Sequence, residues 1–157
     1  MLTAGDAYRA LAPHVLAYLR AQRVGDPEDL LGEVFLQVAR DIGRFSGDSA
    51  ALRRWVFAIA HNRVLDARRR AARRPQVSDG AVPEVPVPMH APDPVDPALL
   101  SALESLTPEQ REVILLRFVA DLSLEDVAKM TKRGVGAVKA LQHRALASLG
   151  KELGQQG

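Results

Sequence analysis

Cysteine is missing altogether from this 157-residue chain, which excludes disulfides, thiolate metal sites and thiol nucleophiles together. Aromatic residues make up only 4% of it, and β-branched residues form no alternating run longer than the proline-broken VPEVPVP of 82–88. A strand-built fold has little to draw on. No apolar run approaches the roughly eighteen residues that a membrane-spanning helix needs. The opening MLTAGDAYRA also lacks the basic start and apolar core of a secretory leader. The four histidines, His14, His61, His90 and His143, are too dispersed to suggest a metal or catalytic cluster. Neither a phosphate-cradling glycine loop nor a GxSxG elbow is present. The expectation is an all-α, non-enzymatic, cytoplasmic protein with no cofactor and no membrane insertion.

What the chain does have is unevenly placed charge. Its 21 basic and 19 acidic side chains leave a formal net charge of only +2. Residues 1–45 hold five basic and six acidic groups, 46–75 eight and two, 76–110 none and six, and 111–157 eight and five. The basic peak is Leu52 to Arg74, LRRWVFAIAHNRVLDARRRAARR, where eight arginines stand against Asp66 alone. Trp55, Val56, Ile59 and Leu65 share one broad helical face there, which predicts burial of that face. Guanidinium groups at this density repel one another unless anions lie nearby, and phosphate suits their planar donor fork. Nucleic-acid contact is one reading of the segment, and a solvated basic face is the other.

An amphipathic helix is predicted over Ala7 to Gln22, with Leu11, Val15, Tyr18 and Leu19 on its stripe and Pro13 marking a kink or a late start. Asp26-Pro27 reads as the N-cap and first-turn proline of a second helix reaching about Asp41. Its core face is Leu30, Leu31, Val34, Phe35 and Val38, which leaves Asp29 and Glu33 one turn apart on another side. Two such carboxylates repel mildly. A solvated surface and a docking patch for an arginine-rich partner fit them equally well. Asp48 or Ser49 is placed to cap the long basic helix, and Arg74-Pro75 ends it. From Pro75 to Pro97 inclusive there are seven of the ten prolines, four acids and no base, the composition of a semi-extended linker. The predicted organisation is two small helical domains, 1–75 and 97–157, joined by a flexible, acidic, Pro-rich linker at 76–96.

The second half opens with another cap and proline, Asp96-Pro97. Thr107-Pro108-Glu109-Gln110 then combines a cap, a first-turn proline and a capping-box glutamine ahead of the mostly buried REVILLRFVA. Ser123 caps a short helix through Val127, Ala128 and Met130, and Gly134 and Gly136 break and reopen the chain before a helix from Ala137 to Leu149. Short helix, tight turn and longer basic helix make a helix-turn-helix pattern, whose second helix enters the DNA major groove. Lys132, Arg133, Lys139, His143 and Arg144 lie away from Val138, Leu141, Ala145 and Leu149. A plain helical hairpin is the alternative.

DPEDLLGEVFLQVARDIGRF followed by RRWVFAIAHNRVLDARRR resembles region 2 of bacterial sigma factors of the extracytoplasmic-function (ECF) type. LTPEQREVILLRFVADLSLEDVAKMTKRGVGAVKALQHRAL resembles their region 4, and the two blocks in order span nearly the whole chain. The resemblance implies a factor that binds core RNA polymerase, at the β′ clamp helices and the β flap. It would direct the polymerase to promoter DNA and be held inactive by an anti-sigma factor. Asp29, Glu33, Leu30 and Gln37 are then the polymerase contacts. Along the pattern WxxxIAxNxxxD the resemblance gives Trp55, His61, Asn62, Arg63, Asp66, Arg69 and Arg70 to the minus-ten element. Trp55 and Ile59 also serve the core, and Arg68 joins its neighbours on the DNA backbone. Matching the family's GTVKSRLHRAR to GAVKALQHRAL gives Arg133, Lys139, Ala140, His143 and Arg144 to the minus-thirty-five element.

Departures from the family pattern carry expectations of their own. Gly32 replaces a usual glutamine at a helix cost of about 1 kcal/mol relative to alanine, which implies weaker polymerase binding or a backbone contact. Thr131, Lys132 and Gly134 replace the usual leucine, glycine and proline of the turn. A lysine in place of a left-handed glycine implies strain or a different turn. Ala140, Gln142 and Leu146 replace polar or basic residues, so promoter choice is expected to be individual. The acidic linker is expected to mimic nucleic acid along the polymerase's RNA-exit path. The alternatives are a stand-alone helix-turn-helix transcription regulator and a sigma-like decoy.

Overall fold

Thr3 and Asp6 start the first helix by capping each other: Thr3 Oγ1 accepts from the Asp6 N–H at 3.1 Å, and Asp6 Oδ2 accepts from the Thr3 N–H at 3.0 Å. Helix α1 (Ala4–Ala21) therefore begins earlier than the predicted Ala7. Pro13 neither delays nor ends it, because it falls on the exposed side of a helix anchored by Leu11, Val15, Tyr18 and Leu19. Helix α2 (Pro27–Asp41) has the predicted bounds, with Asp26 accepting from the Asp29 N–H at 3.0 Å. It buries Leu30, Val34, Phe35 and Val38. A single 3-10 turn, Ile42–Arg44, leads to Gly47, whose φ of +149° would bring a Cβ within 2.8 Å of the Ala51 side chain. Only glycine fits that corner.

Asp48 then caps helix α3 (Ser49–Arg73), accepting from the Ala51 N–H at 2.9 Å. Val56 and Ile59 are buried as their spacing predicts, together with Leu52, Phe57, Ala60, His61 and Val64. Trp55 and Leu65 are half-buried at the rim, Trp55 stacking on Phe45 with ring centroids 5.2 Å apart. Tyr18 meets Phe57 edge to face at 5.7 Å in the centre of the three-helix packing.

The structure, a computed structural model, describes residues 2–73 and 96–154, and over these it is helix and connecting turn without a strand. The expected linker lies outside the described residues except for Asp96, which caps helix α4 (Pro97–Glu104). Thr107 and Gln110 form the predicted capping box at 3.2 and 3.3 Å and begin helix α5 (Pro108–Ile114). The chain then widens into a π-helical turn, Leu115–Val119, closed by the Ala120 N–H on the Leu115 carbonyl at 3.0 Å. Ser123 caps helix α6 (Leu124–Thr131), and helix α7 (Val135–Gly154) follows. Gly136 lies inside α7 rather than breaking the chain, since the Val138 N–H already bonds the Gly134 carbonyl at 3.1 Å. The buried Arg111 guanidinium donates to the carbonyls of Leu103 (3.1 Å) and Leu106 (3.2 Å), meeting the free end of α4. Helices α1 and α3 pack directly on the second half, against the π-helical turn and α6.

Candidate nucleic-acid interface

The α6–α7 turn fixes which side chains the second half presents. Lys132 occupies the left-handed region at φ 57° and ψ 43°, donating its N–H to the Lys129 carbonyl at 3.3 Å. The Arg133 N–H reaches back to the Ala128 carbonyl at 2.9 Å. This is a Schellman cap with lysine at the position that favours glycine, so the predicted strain is present within an ordinary turn. Beyond it, Lys139, His143 and Arg144 are exposed with Arg133, and Ala140 is half-buried. Val138, Ala145 and Leu149 are buried on the opposite face. Gln142, one of the departures, has a bracing role: it accepts from Arg117 Nε at 2.9 Å, while Arg117 Nη1 bonds the Leu122 carbonyl at 2.6 Å. Phe118 stands outside the π-helical turn, 54% exposed, with the Arg117 guanidinium over its ring at 5.4 Å.

On α3 the expected minus-ten residues separate into two groups. Asn62, Asp66, Arg69 and Arg70 are exposed, with Arg69 and Asp66 paired at 3.4 Å. Arg63 is half-buried and donates to Gln37 Oε1 at 3.0 Å, tying the expected DNA helix to the expected polymerase helix. Arg68 turns inward, donating to the side-chain oxygen of Gln22 at 2.7 Å. His61 lies away from the open face, only 7% exposed, with Nδ1 on the Glu112 carboxylate.

On α2, Asp29 is exposed, and the nearby Asp26 carboxylate, with Glu33 adding to it, raises its carboxyl above the ordinary aspartate range. Glu33 is half-buried, with its Oε2 enclosed and without a hydrogen-bond partner. Leu30 packs in the core at 7% exposure, while Leu36, absent from the expected contacts, is 65% exposed beside Gln37. An apolar residue off the buried stripe was the available signal for Leu36. The larger omission is a buried cluster around Glu112. Tyr18 Oη donates to it at 2.8 Å, and Gln22 Nε2 and His61 Nδ1 also bond it. Burial, then the Glu112 charge, pushes the Tyr18 hydroxyl well above its ordinary range, so it stays protonated and donates.

An acid-faced helix braced on an arginine-lined one, followed by a helix-turn-helix with an outward cationic edge, defines a two-part DNA-directed helical protein. Family models for Sigma-70 region 2 and Sigma-70, region 4 match residues 7–74 and 102–151. The chain belongs to the sigma-70 family as an ECF RNA polymerase sigma factor, a family of transcription initiation factors rather than enzymes. It is 32% identical over 142 residues to the ECF RNA polymerase sigma factor BldN of Streptomyces coelicolor, a match covering 87% of this chain and 54% of BldN. It is 35% identical over 133 residues to the ECF RNA polymerase sigma factor ShbA of Streptomyces griseus, covering 78% of this chain and 69% of ShbA. The chain thus spans about half the length of BldN. Among solved structures, the sigma factor RpoE of Bartonella quintana, in complex with the anti-sigma factor NepR, is similar with a TM-score of 0.74 at 26% identity over 95% of each chain. That match runs through both halves, so their mutual arrangement is similar as well. Among the described residues no helix is long and apolar enough to cross a membrane.

Proposed function

We propose that this protein docks on core RNA polymerase through the acidic side of α2 and delivers it to a two-part promoter. Asp29 and Glu33 supply the charge for the β′ clamp helices, Gln37 a polar contact, and Leu30 the packing that holds them. A second contact is made by the 97–157 half on the β flap. Helix α3 meets the minus-ten element through Asn62, Asp66, Arg69 and Arg70, with Trp55, His61 and Arg63 in support. Arg133, Lys139, Ala140, His143 and Arg144 meet the minus-thirty-five element. The acidic segment 76–96 tethers residues 1–75 to residues 97–157. Strand capture trades part of the binding energy for base unpairing, and the chemistry stays with the polymerase. The work is placed in the cytoplasm, where the polymerase is, under a protein anti-sigma factor acting in trans.

The observation that supports this reading best is the division of charge between helices. Carboxylates crowd the start of α2 against their own repulsion, whereas exposed cations line α3 and the leading edge of α7. A lone DNA-binding regulator has no use for the former. The test is retention of core polymerase on the immobilised chain, native against Asp29→Arg/Glu33→Arg in the same buffer. Retention lost in the double variant supports the docking helix, and mapping of transcripts from the reconstituted holoenzyme then identifies the promoter. A native chain that retains no polymerase sinks the reading.

A further inference from the structure

Arg117 leaves the π-helical turn with its guanidinium engaged on three sides. Nη1 donates to the Leu122 carbonyl at 2.6 Å, just ahead of α6, and Nε donates to Gln142 Oε1 at 2.9 Å, in the middle of α7. The Phe118 ring covers the same group, its centroid 5.4 Å from Cζ. Both bonds come from one rigid planar cation, so they fix direction as well as distance. A guanidinium only donates, which makes the amide oxygen of Gln142 the atom turned toward it. Arg117 and Gln142 are both half-buried, where such a bond is stronger than in open water.

The other contacts of α7 do less to set its rotation about its own axis. The helix follows Gly134 and carries Gly136 in its first turn, and a Cβ on either glycine would meet nothing within 4 Å. Its buried face is Val138, Ala145 and Leu149, and apolar contact is non-directional. A roll of roughly 20° moves atoms about 6 Å from the helix axis by about 2 Å, enough to take a hydrogen bond out of range. Gln142 directly precedes His143 and Arg144 and lies one turn after Lys139, so a bond that stops the roll at Gln142 stops it for all three. Among the described residues none of those three is tied to the protein by a hydrogen bond or an ion pair. Where they meet DNA is decided by the pose of the helix.

We propose that Gln142 is a positioning residue for minus-thirty-five recognition: held by Arg117, it sets the rotation at which α7 offers Lys139, His143 and Arg144 to the base edges. The inference rests on the promoter-directing role proposed above. Base contacts demand direction, whereas phosphate contacts carry no sequence information and follow charge. Loss of the brace therefore flattens the choice among minus-thirty-five sequences more than it weakens binding as a whole.

The test uses holoenzyme reconstituted from core polymerase and the full chain, native, Gln142→Met or Gln142→Glu. Transcription is measured from the mapped promoter and from single-base-pair variants of its minus-thirty-five and minus-ten elements. Methionine keeps the length of the side chain without its oxygen, glutamate returns an oxygen to Arg117, and the three residues have similar helix propensities. Gln142→Met is expected to reduce the native preference at minus-thirty-five by roughly tenfold, the weight of about one base contact, with the minus-ten preference unchanged. Gln142→Glu is expected to restore that preference, at a lower overall level of binding because it adds a negative charge beside the DNA. Thermal midpoints of the three free chains separate positioning from stability. A Gln142→Met chain with a lowered midpoint and an intact minus-thirty-five preference overturns the proposal, and so does a Gln142→Glu chain as unselective as Gln142→Met. A native holoenzyme indifferent to the minus-thirty-five variants overturns the promoter reading of α7 and the proposal with it.

Discussion

Lys132 shows a single residue bearing a cost for its position. A left-handed conformation costs a non-glycine residue about 1 kcal/mol or more, and Lys132 adopts it at φ 57° to make the Schellman turn ahead of α7. What the position gains is a cation beside Arg133 at the mouth of the recognition helix. Replacing Lys132 by glycine relieves the backbone, and the greater freedom of glycine in the unfolded chain offsets part of the gain. The net expectation for Lys132→Gly is about 0.5 kcal/mol of added stability, or a thermal midpoint raised by roughly 2 °C in calorimetry. The same variant should bind promoter DNA more weakly, with a shallower salt dependence. A lowered midpoint would show that the lysine side chain makes a stabilising contact. The strain was legible in the sequence because the family pattern has glycine there, but the turn that absorbs it was not. That turn depends on the Arg133 N–H finding the Ala128 carbonyl.

At the scale of elements, capping chemistry made the helix starts legible. Asp26, Asp96, Thr107 and Ser123 all cap where their side chains and the following prolines or acids predict. Each is a local bond spanning two or three residues, which a sequence displays directly. The Thr3–Asp6 box is equally local, but it precedes the apolar stripe that marks the helix in the sequence. The π-helical turn at Leu115–Val119 had no such signal. VILLRFV is apolar almost throughout, and the wide turn is braced by Arg117 reaching Leu122 and the distant Gln142. Helix α2 offers the clearest test at this scale. Gly32 sits mid-helix and exposed, and a Cβ there would meet nothing within 4 Å. Gly32→Ala is therefore expected to stabilise the protein by about 1 kcal/mol, read as a higher denaturant midpoint with an unchanged slope. Polymerase retention in that variant then separates two uses of the glycine. Unchanged retention makes it a tolerated defect, and reduced retention means that its bare backbone is the contact.

For the whole molecule, the decisive contacts join residues 94, 90 and 51 positions apart, Tyr18, Gln22 and His61 with Glu112. No periodicity or capping rule connects such positions, and so His61, on a motif that pointed to DNA, is found buried on a carboxylate instead. The interface also contains two kinds of charge contact, whose weights differ. The rim pairs Arg53–Asp121 and Arg54–Asp126 are long, at 3.8 and 3.7 Å, and the Asp121 side chain is 83% exposed. Exposed pairs of this kind contribute about 0–1 kcal/mol and are screened by salt. The Glu112 cluster is buried, hydrogen-bonded from three sides and little affected by ionic strength. The packing of the two halves should therefore survive loss of the rim pairs but not of the buried cluster. With an energy-transfer dye pair on Ala10→Cys and Ala147→Cys, both exposed positions of a chain without cysteine, Arg53→Ala/Arg54→Ala is expected to lower transfer slightly at low ionic strength and to match the native chain at roughly 0.5 M salt, where screening has removed the native rim contribution too. Tyr18→Phe, which removes the hydroxyl bond to Glu112, is expected to lower transfer at both. A rim variant that opens the chain at every salt concentration would mean that the arginine pairs, and not the buried carboxylate, hold the two halves together.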